Sequence, residues 1–305
     1  MFGGKAKIGI AKNASFGSRN TNVTPFKATE YDYSLEVQNV EDGEMFGIVD
    51  MYESVTGNRS ASANVKLRAY PLVLGEFITA ALGNPVTTGT SPNFTHTFTT
   101  STNLPPAYTL AMEDNDNSAY WVDNCRLTQL SFEQTQGNPL YVSANFVATD
   151  RQPGANVTST TLESGSFLWK HLVVNVNGTP NNLFKTLTVN INNPIENDFA
   201  LNGTDTADFQ EFTGMRTITL EGTLRFTTDT VSYRSDYEQG ASLDVDLLWQ
   251  IDPNTSLRLL MPKMKVVSHS WSKGPGIVDV TFSANAYFAN TFTLQAVLKN
   301  SKSSY

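Results

Sequence analysis

The segment Gly57-Asn-Arg59-Ser60 begins a strand-like run that ends at Leu67-Arg68, and the chain contains this pattern twice. The second copy begins with Gly214-Met-Arg216-Thr217 and ends, at the same spacing, with Leu224-Arg225. Polar and apolar residues alternate between the two ends of each copy, which is typical of a strand with one buried face. The repeated pattern predicts a duplicated β-fold.

A second pair of anchors supports the duplication. Ser143-Ala144-Asn145 lies near the end of the first half, and Ser283-Ala284-Asn285 lies near the end of the second half. The two kinds of anchor follow each other in the same order in both halves. Duplicated units usually build one surface, ring or array together, so this pattern favours an assembly role over a single catalytic pocket.

Length and composition narrow the possible functions. A chain of 305 residues is long enough for two domains, and only 16% of its residues are charged. A soluble domain usually carries about 25% charged residues, so much of this surface is neutral and polar. The net charge of −8 argues against a protein that binds nucleic acid tightly through a basic face.

The single cysteine, Cys125, excludes an intramolecular disulfide. We find no apolar core of signal-peptide length near the N-terminus. The longest apolar stretch, residues 72–82, is too short to cross a bilayer. We therefore expect a protein made in the cytoplasm without a membrane anchor.

The first 29 residues contain basic residues and no acid. The basic residues are Lys5, Lys7, Lys12, Arg19 and Lys27. The rest of the chain is correspondingly more acidic than the whole. This contrast predicts a basic N-terminal arm on an acidic body, and a solvated terminus without a role is the alternative.

The remaining sequence predicts a mainly β chain with two tandem β-sandwich or barrel domains, each with a flanking helix. We assign residues 30–149 to the first domain, residues 150–165 to a linker and residues 166–305 to the second domain. The helix of the first domain is predicted between Pro71 and Gly83, where apolar residues recur at helical spacing. A more polar helix is predicted between Asp229 and Gly240, at the corresponding place in the second domain.

Candidate chemistry is sparse. His96, His171 and His269 are far apart in sequence, and no nucleophile, phosphate-binding or zinc motif is present. Two acidic loops are the densest charge clusters; their residues are Glu113, Asp114 and Asp116, and then Asp205, Asp208 and Glu211. The first loop lacks the spacing of a calcium loop, so we interpret both as exposed interaction loops. We predict no catalytic residue, no metal and no cofactor.

An ordered series of short motifs extends over residues 45–149. After Gly57-Asn-Arg59-Ser60 comes the helix that ends at Gly83, and then Thr95-His96-Thr97-Phe98. Leu104-Pro105, Asp123-Asn-Cys125-Arg126-Leu127 and Gly137-Asn138-Pro139-Leu140 follow in that order. In this order the motifs resemble the siphophage major tail tube protein family, and the second half joins the resemblance through the internal repeat.

The resemblance implies a structural virion protein. In this family, strands of neighbouring subunits join into a continuous inner barrel, and stacked rings form the hollow tail tube through which the genome passes. Because single-domain members generally form sixfold rings, a duplicated chain implies a ring of three chains with pseudo-sixfold symmetry. A ring of six chains with the second half outside is the alternative.

Partners follow from the same resemblance. The chain would bind copies of itself, the tape measure protein, and the tail terminator and distal tail proteins, while viral DNA passes without specific binding. Contacts between rings are predicted to join the basic residues of the arm to the two acidic loops. A function of a different class, a carbohydrate-binding adhesin or baseplate module that uses Trp and Tyr clusters, is the alternative.

Overall fold

The computed structural model describes residues 7–41, 54–114, 118–158, 163, 165–227, 235, 238–271, 278–289 and 291–305. These residues form antiparallel β-structure with the α-helix α1 (Leu74–Leu82), and residues 235, 238 and 239 are also helical. The expectation of a mainly β chain is confirmed. No helix among the described residues is long and apolar enough to cross a membrane.

Ten strands belong to the first half of the chain. They are β1 (Lys7–Lys12), β2 (Thr24–Phe26), β3 (Glu30–Glu41), β4 (Ser54–Arg68), β5 (Val86–Thr90), β6 (Asn93–Thr99), β7 (Tyr108–Glu113), β8 (Ala119–Thr135), β9 (Tyr141–Ala148) and β10 (Asp150–Pro153).

Ten more strands belong to the second half. They are β11 (Leu172–Val176), β12 (Thr179–Pro180), β13 (Phe184–Asn192), β14 (Ile195–Asp198), β15 (Phe209–Phe212), β16 (Thr217–Arg225), β17 (Leu243–Asp252), β18 (Thr255–Trp271), β19 (Asp279–Ala286) and β20 (Gln295–Asn300).

The two halves share one pairing scheme. In the first half β1 pairs with β2 and β7, β8 pairs with β7 and β10, and β3, β4, β9 and β8 lie side by side. In the second half β11 pairs with β12 and β17, β18 pairs with β17 and β20, and β13, β16, β19 and β18 lie side by side. Every one of these pairings in one half has a counterpart in the other half.

Two further pairings join the halves. Strand β8 pairs with β13 over Gln129–Thr135, and β20 pairs with β6 over Gln295–Asn300. The β8–β13 ladder connects the two side-by-side sets into a run of eight strands in the order β3, β4, β9, β8, β13, β16, β19, β18. The strand order of the first half is thus followed by the equivalent order of the second half.

Helix α1 covers the apolar side of the first half. Its residues are all buried, and it packs against β8, β6 and β1. The predicted C-terminal cap is confirmed, because Gly83 has a positive φ of 103° and its N–H bonds to the Thr79 carbonyl. At the other end, the carboxylate of Glu163 accepts hydrogen bonds from the N–H groups of Leu72 (2.6 Å) and Val73 (3.2 Å). A residue between the halves therefore caps the helix N-terminus.

The N-terminal segment differs from the predicted arm. Residues from Lys7 onward form β1, which adds to the edge of β7, and Ile8 and Ile10 are buried. The lysines at the ends of β1 gave the segment its basic character, while the residues between them supply core contacts. Part of the predicted linker is also a strand, since β10 pairs with β8. The predicted second helix lies largely outside the described residues.

The repeat anchors lie on strands with the same place in the pairing scheme. Ser143 is on β9 and Ser283 on β19, while Arg59 is in β4 and Arg216 directly precedes β16. The strand register nevertheless offsets the two anchor pairs. Ser143 pairs with Lys66, and Ser283 pairs with Glu221, so the sheet makes Lys66 equivalent to Glu221. The spacing from the Gly-x-Arg anchors would instead make Lys66 equivalent to Thr223. A shift of two residues keeps every side chain on its own face.

Candidate assembly surfaces

The eight-strand run has one polar face. A single rung of paired residues crosses all eight strands, and its members are Glu30, Lys66, Ser143, Ser131, Asn190, Thr219, Asn285 and Lys265. The residues that alternate with this rung, such as Val65, Ala144 and Val189, are buried in the core. The strands therefore present hydroxyl, amide and charged groups on one side and apolar groups on the other.

Side chains on the polar face bind each other across strands. At the junction of the halves, the Ser131 hydroxyl lies 2.6 Å from Oδ1 of Asn190, and the Asn190 amide lies 3.4 Å from Oγ1 of Thr219. Lys66 lies 3.3 Å from Glu133. The face carries both signs of charge and many neutral groups, so it offers no dense basic patch to DNA phosphates.

The two edges of the run differ in charge. Among the described strands, β3 pairs only with β4, so its other side is an edge, and its charged residues are Glu30, Asp32, Glu36 and Glu41. The C-terminal part of β18 has β19 as its ladder partner among the described strands. This part of β18 carries Lys265 and His269 and no acid, whereas Arg258 lies where β17 and β20 flank the strand and is paired with Asp246. An acidic edge and a basic edge thus end the same run.

Several predicted inter-ring residues of the basic segment have partners within the chain. Lys7 lies 2.8 Å from Glu113, which is only 2% exposed. Arg19 binds both carboxylate oxygens of Asp123 and also Oε1 of Gln152 at 2.9 Å. The interaction with Asp123 raises the pKa of Arg19. These groups are already paired in the single subunit.

The other two described lysines of the segment bind backbone carbonyls. Lys12 donates to the Tyr305 carbonyl at 2.6 Å, and Lys27 donates to the Glu163 carbonyl at 2.9 Å. Lys5 lies outside the described residues. Both bonds tie the N-terminal segment to distant parts of the chain, so these lysines stabilise the subunit whether or not they also reach another ring.

The acidic loops are also partly engaged. Asp114 accepts hydrogen bonds from the hydroxyls of Tyr31 (2.8 Å) and Tyr33 (2.6 Å) on β3. Burial, followed by the bond to Asp114, raises the pKa of Tyr31 to about 12. Asp116 lies outside the described residues. Asp208 binds the N–H of Ala200 at 2.9 Å.

The remaining members of the second loop are Asp205, which approaches the first half, and Glu211. Asp205 lies 3.5 Å from Arg59, which also lies 3.1 Å from the buried Asp150. Glu211 is exposed on β15, in the two-stranded sheet that β14 and β15 form. As contacts between rings, the predicted residues remain a prediction, and among the described members Glu211 is an exposed one.

The Gly-x-Arg anchors have hydrogen-bond partners and strand positions within the subunit. Arg216 donates to Oδ1 of Asn193 (2.6 Å) and to the Ser101 carbonyl (3.0 Å), and burial lowers its pKa. The two glycines, Gly57 and Gly214, precede the arginines, while Arg68 and Arg225 end strands β4 and β16. Gly57 and Arg59 thus lie inside β4, whereas Gly214 and Arg216 precede β16.

The geometry offers little for chemistry. Among the described residues, no group of three His, Cys, Asp or Glu side chains is placed to hold a metal ion. His96 is buried and its two ring nitrogens are satisfied by the Thr87 hydroxyl and the Lys302 carbonyl, each at 2.9 Å. A cleft of about 950 Å³ lies beside the N-terminus of α1. Glu163, from the segment between the halves, lines this cleft, and its carboxylate is occupied in capping that helix.

Sequence patterns could not locate two of these features. The opposite charges of β3 and β18 are visible in the sequence, but only the topology shows that both strands are edges of one run. The contact of Tyr305 with α1 leaves no local pattern, because Leu72 and Gly75 are more than 200 positions away.

Comparisons with known proteins agree with the fold. A family model described as phage tail tube protein matches residues 3–269. Among solved structures, the chain is similar to one from the virion of a native gene transfer agent particle, with 14% identity over 41% of this chain and 97% of that chain, and a TM-score of 0.32. The search of curated proteins returned no match. Because the family model extends from the N-terminus into β18, this chain belongs to the phage tail tube protein family.

Proposed function

We propose that this tail tube protein forms its ring from three chains, each of which supplies two of six pseudo-equivalent positions. The protein is a structural component of a virion tail and assembles with itself into a tube. The observation that supports the number three is the repeated strand order. Strand β13 follows β8 within the chain. In the ring, β3 of a neighbouring chain would follow β18 in the same way. Three runs of eight strands then fill the six places that single-domain members generally fill.

The pairing scheme supports two repeats as the units of this ring. We propose repeats that span residues 7–153 and 165–300, which places β1 and β2 in the first repeat instead of in a separate arm. Their counterparts, β11 and β12, hold the same positions beside β17 in the second repeat. Residues 154–164, one of which caps α1, connect the repeats.

Ring closure has a physical reason. The exposed edges of β3 and β18 leave backbone N–H and C=O groups without ladder partners among the described strands, and such edges favour strand addition. A cyclic arrangement removes all edges, because each acidic β3 edge meets a basic β18 edge. The polar face of the run would line the lumen, and the apolar face would stay in the subunit cores.

Within this proposal the protein has no catalytic role. The tape measure, tail terminator and distal tail proteins are proposed partners of the tube ends and interior, and DNA passes the hydroxyl- and amide-rich wall without specific binding. The alternative of a carbohydrate-binding module has no support from the family match, and two of the tryptophans, Trp121 and Trp249, are buried instead of displayed.

The test is electron microscopy of the concentrated protein, combined with native mass measurement of isolated rings. A ring of three chains should weigh three times the 33.5 kDa of the subunit and show six similar lobes with threefold symmetry. Rings that contain six chains, with the second repeats outside the first, would contradict the proposal.

A further inference from the structure

We infer that neighbouring chains pair β18 with β3 in one defined register, with Ser268 opposite Asp32 of the neighbouring copy. This inference rests on the proposed ring and adds the residue-level interface. Its basis is the ladder between β8 and β13 inside the chain, because β8 is equivalent to β18 and β13 is equivalent to β3.

The register follows from matching rungs in the two repeats. Ser143 pairs with Ser131 in the first repeat, and Ser283 pairs with Ser268 in the second, so Ser131 and Ser268 are equivalent. On the other side, Ser143 reaches Glu30 through Lys66.

In the second repeat Ser283 reaches Thr188 through Glu221. Glu30 is therefore equivalent to Thr188, and Asp32 is equivalent to Asn190. Because Ser131 pairs with Asn190 inside the chain, Ser268 pairs with Asp32 of the neighbouring copy.

The faces of the strands agree with this register. Ser268 and Asp32 are both exposed, and both lie on the polar face. Val266, which is buried, would stand beside the half-buried Tyr33 of the neighbouring copy. A shift by one residue would set exposed side chains of one strand against apolar side chains of the other, so it is excluded.

The charges agree as well. Asn285, the equivalent of Asn145, pairs with Lys265 as Asn145 pairs with Gln129, so Lys265 is equivalent to Gln129. A β-bulge between Val266 and Ser268 adds one residue to β18, so Lys265 and Ser268 match Gln129 and Ser131 although they are three positions apart. Gln129 pairs with Asn192, and Asn192 is equivalent to Ser34. Lys265 would therefore stand opposite Ser34 of the neighbouring copy, with Asp32 and Glu36 as its diagonal neighbours. Such diagonal positions are within reach of long side chains, so a cation meets two carboxylates at the junction.

A shift by two residues is the competing register. It follows from the Gly-x-Arg anchors, which match Lys66 to Thr223 and would place Ser270 opposite Asp32 of the neighbouring copy. Both registers keep the faces, so only a residue-level measurement separates them. We favour the first register, since it derives from observed ladders and not from the spacing of a loop motif.

Disulfide crosslinking of assembled protein tests the register. The variant D32C/S268C should form intermolecular disulfides in rings under mild oxidation, since directly opposed side chains lie near the Cβ separation of a disulfide. The matched control D32C/S270C should crosslink at least about tenfold more slowly. Neither single variant should crosslink, because each would lack its partner, and the native Cys125 is buried.

The outcomes separate the two proposals. Preferential crosslinking of D32C/S268C, with a covalent ladder that ends at the ring size, supports the register. Faster crosslinking of D32C/S270C in intact rings overturns the register and leaves the ring in place. Absence of rings and of both crosslinks in folded protein overturns the ring and the register together.

A charge variant gives an independent readout. K265E should lower the yield of rings severalfold at low salt, because it sets a carboxylate between Asp32 and Glu36. The control K299E makes the same charge change on β20 and should assemble like the wild type. Equal assembly of K265E and K299E would contradict the placement of Lys265 at the junction.

Discussion

Gly75 and Tyr305 lie in such close contact that a β-carbon on Gly75 would stand 2.1 Å from the Tyr305 ring. The C-terminal residue thereby packs directly on the backbone of α1. Its hydroxyl donates to the Leu72 carbonyl at 2.7 Å, and its ring meets the edge of His96 at a centroid distance of 4.8 Å. The C-terminal residue thus closes over the helix of the first half.

We expect Gly75→Ala to destabilise the protein although alanine favours helices by about 1 kcal/mol. The added methyl group displaces Tyr305, and the loss should resemble that of Tyr305→Ala, about 2–3 kcal/mol, somewhat below the cost of deleting a fully buried aromatic ring. Chemical denaturation of both single variants and the double variant measures this. If the two losses simply add in the double variant, the contact is not shared and the interpretation fails.

Removal of β1 should unfold the subunit or weaken it strongly. Ile8 and Ile10 are buried, and each buried isoleucine contributes about 2–5 kcal/mol. A protein without residues 1–12 should therefore lose several kcal/mol and expose the edge of β7. The matched control lacks only residues 1–6 and keeps β1. Similar thermal midpoints for the two truncated proteins would show that β1 is dispensable.

His96 should make the fold less stable in mild acid. Burial lowers its pKa below 6.5, so the folded state resists the proton that the unfolded chain accepts. The stability that neutral His96 contributes is complete above about pH 6.5 and is lost as the pH falls below that value. Thermal unfolding at pH 7.5 and 5.5 should show a larger drop for the wild type than for His96→Gln. An equal drop in both proteins would remove His96 as the cause.

The thiol of Cys125 should be inert in the native protein. It is fully buried, its Sγ lies 3.2 Å from the Val122 carbonyl, and burial raises its pKa. A thiol reagent should modify the folded protein orders of magnitude more slowly than the protein in denaturant, since only the exposed thiolate reacts. Modification at equal rates would show that the strand around Cys125 opens readily.

The sequence contains the information for the β class, the duplication and α1 because these depend on local patterns. Alternation reveals strands such as β4 and β16, and Gly83 marks the end of the helix through its positive φ. The role of β1 was misassigned because the charges of Lys7 and Lys12 dominate a short strand. Edges and junctions depend on which strands become neighbours, and no local pattern encodes the meeting of Ser131 with Asn190.

The junction between β8 and β13 restricts which repeats can lie next to each other. A chain that joins its repeats internally cannot place two first repeats, or two second repeats, next to each other in that seam. The edges that remain at the ends of the run are unlike: an association of β3 with β3 would oppose carboxylates, and one of β18 with β18 would oppose cations. In the proposed ring, the order of the two repeats in one chain would thus specify strict alternation, which two separate chains would have to encode at every edge.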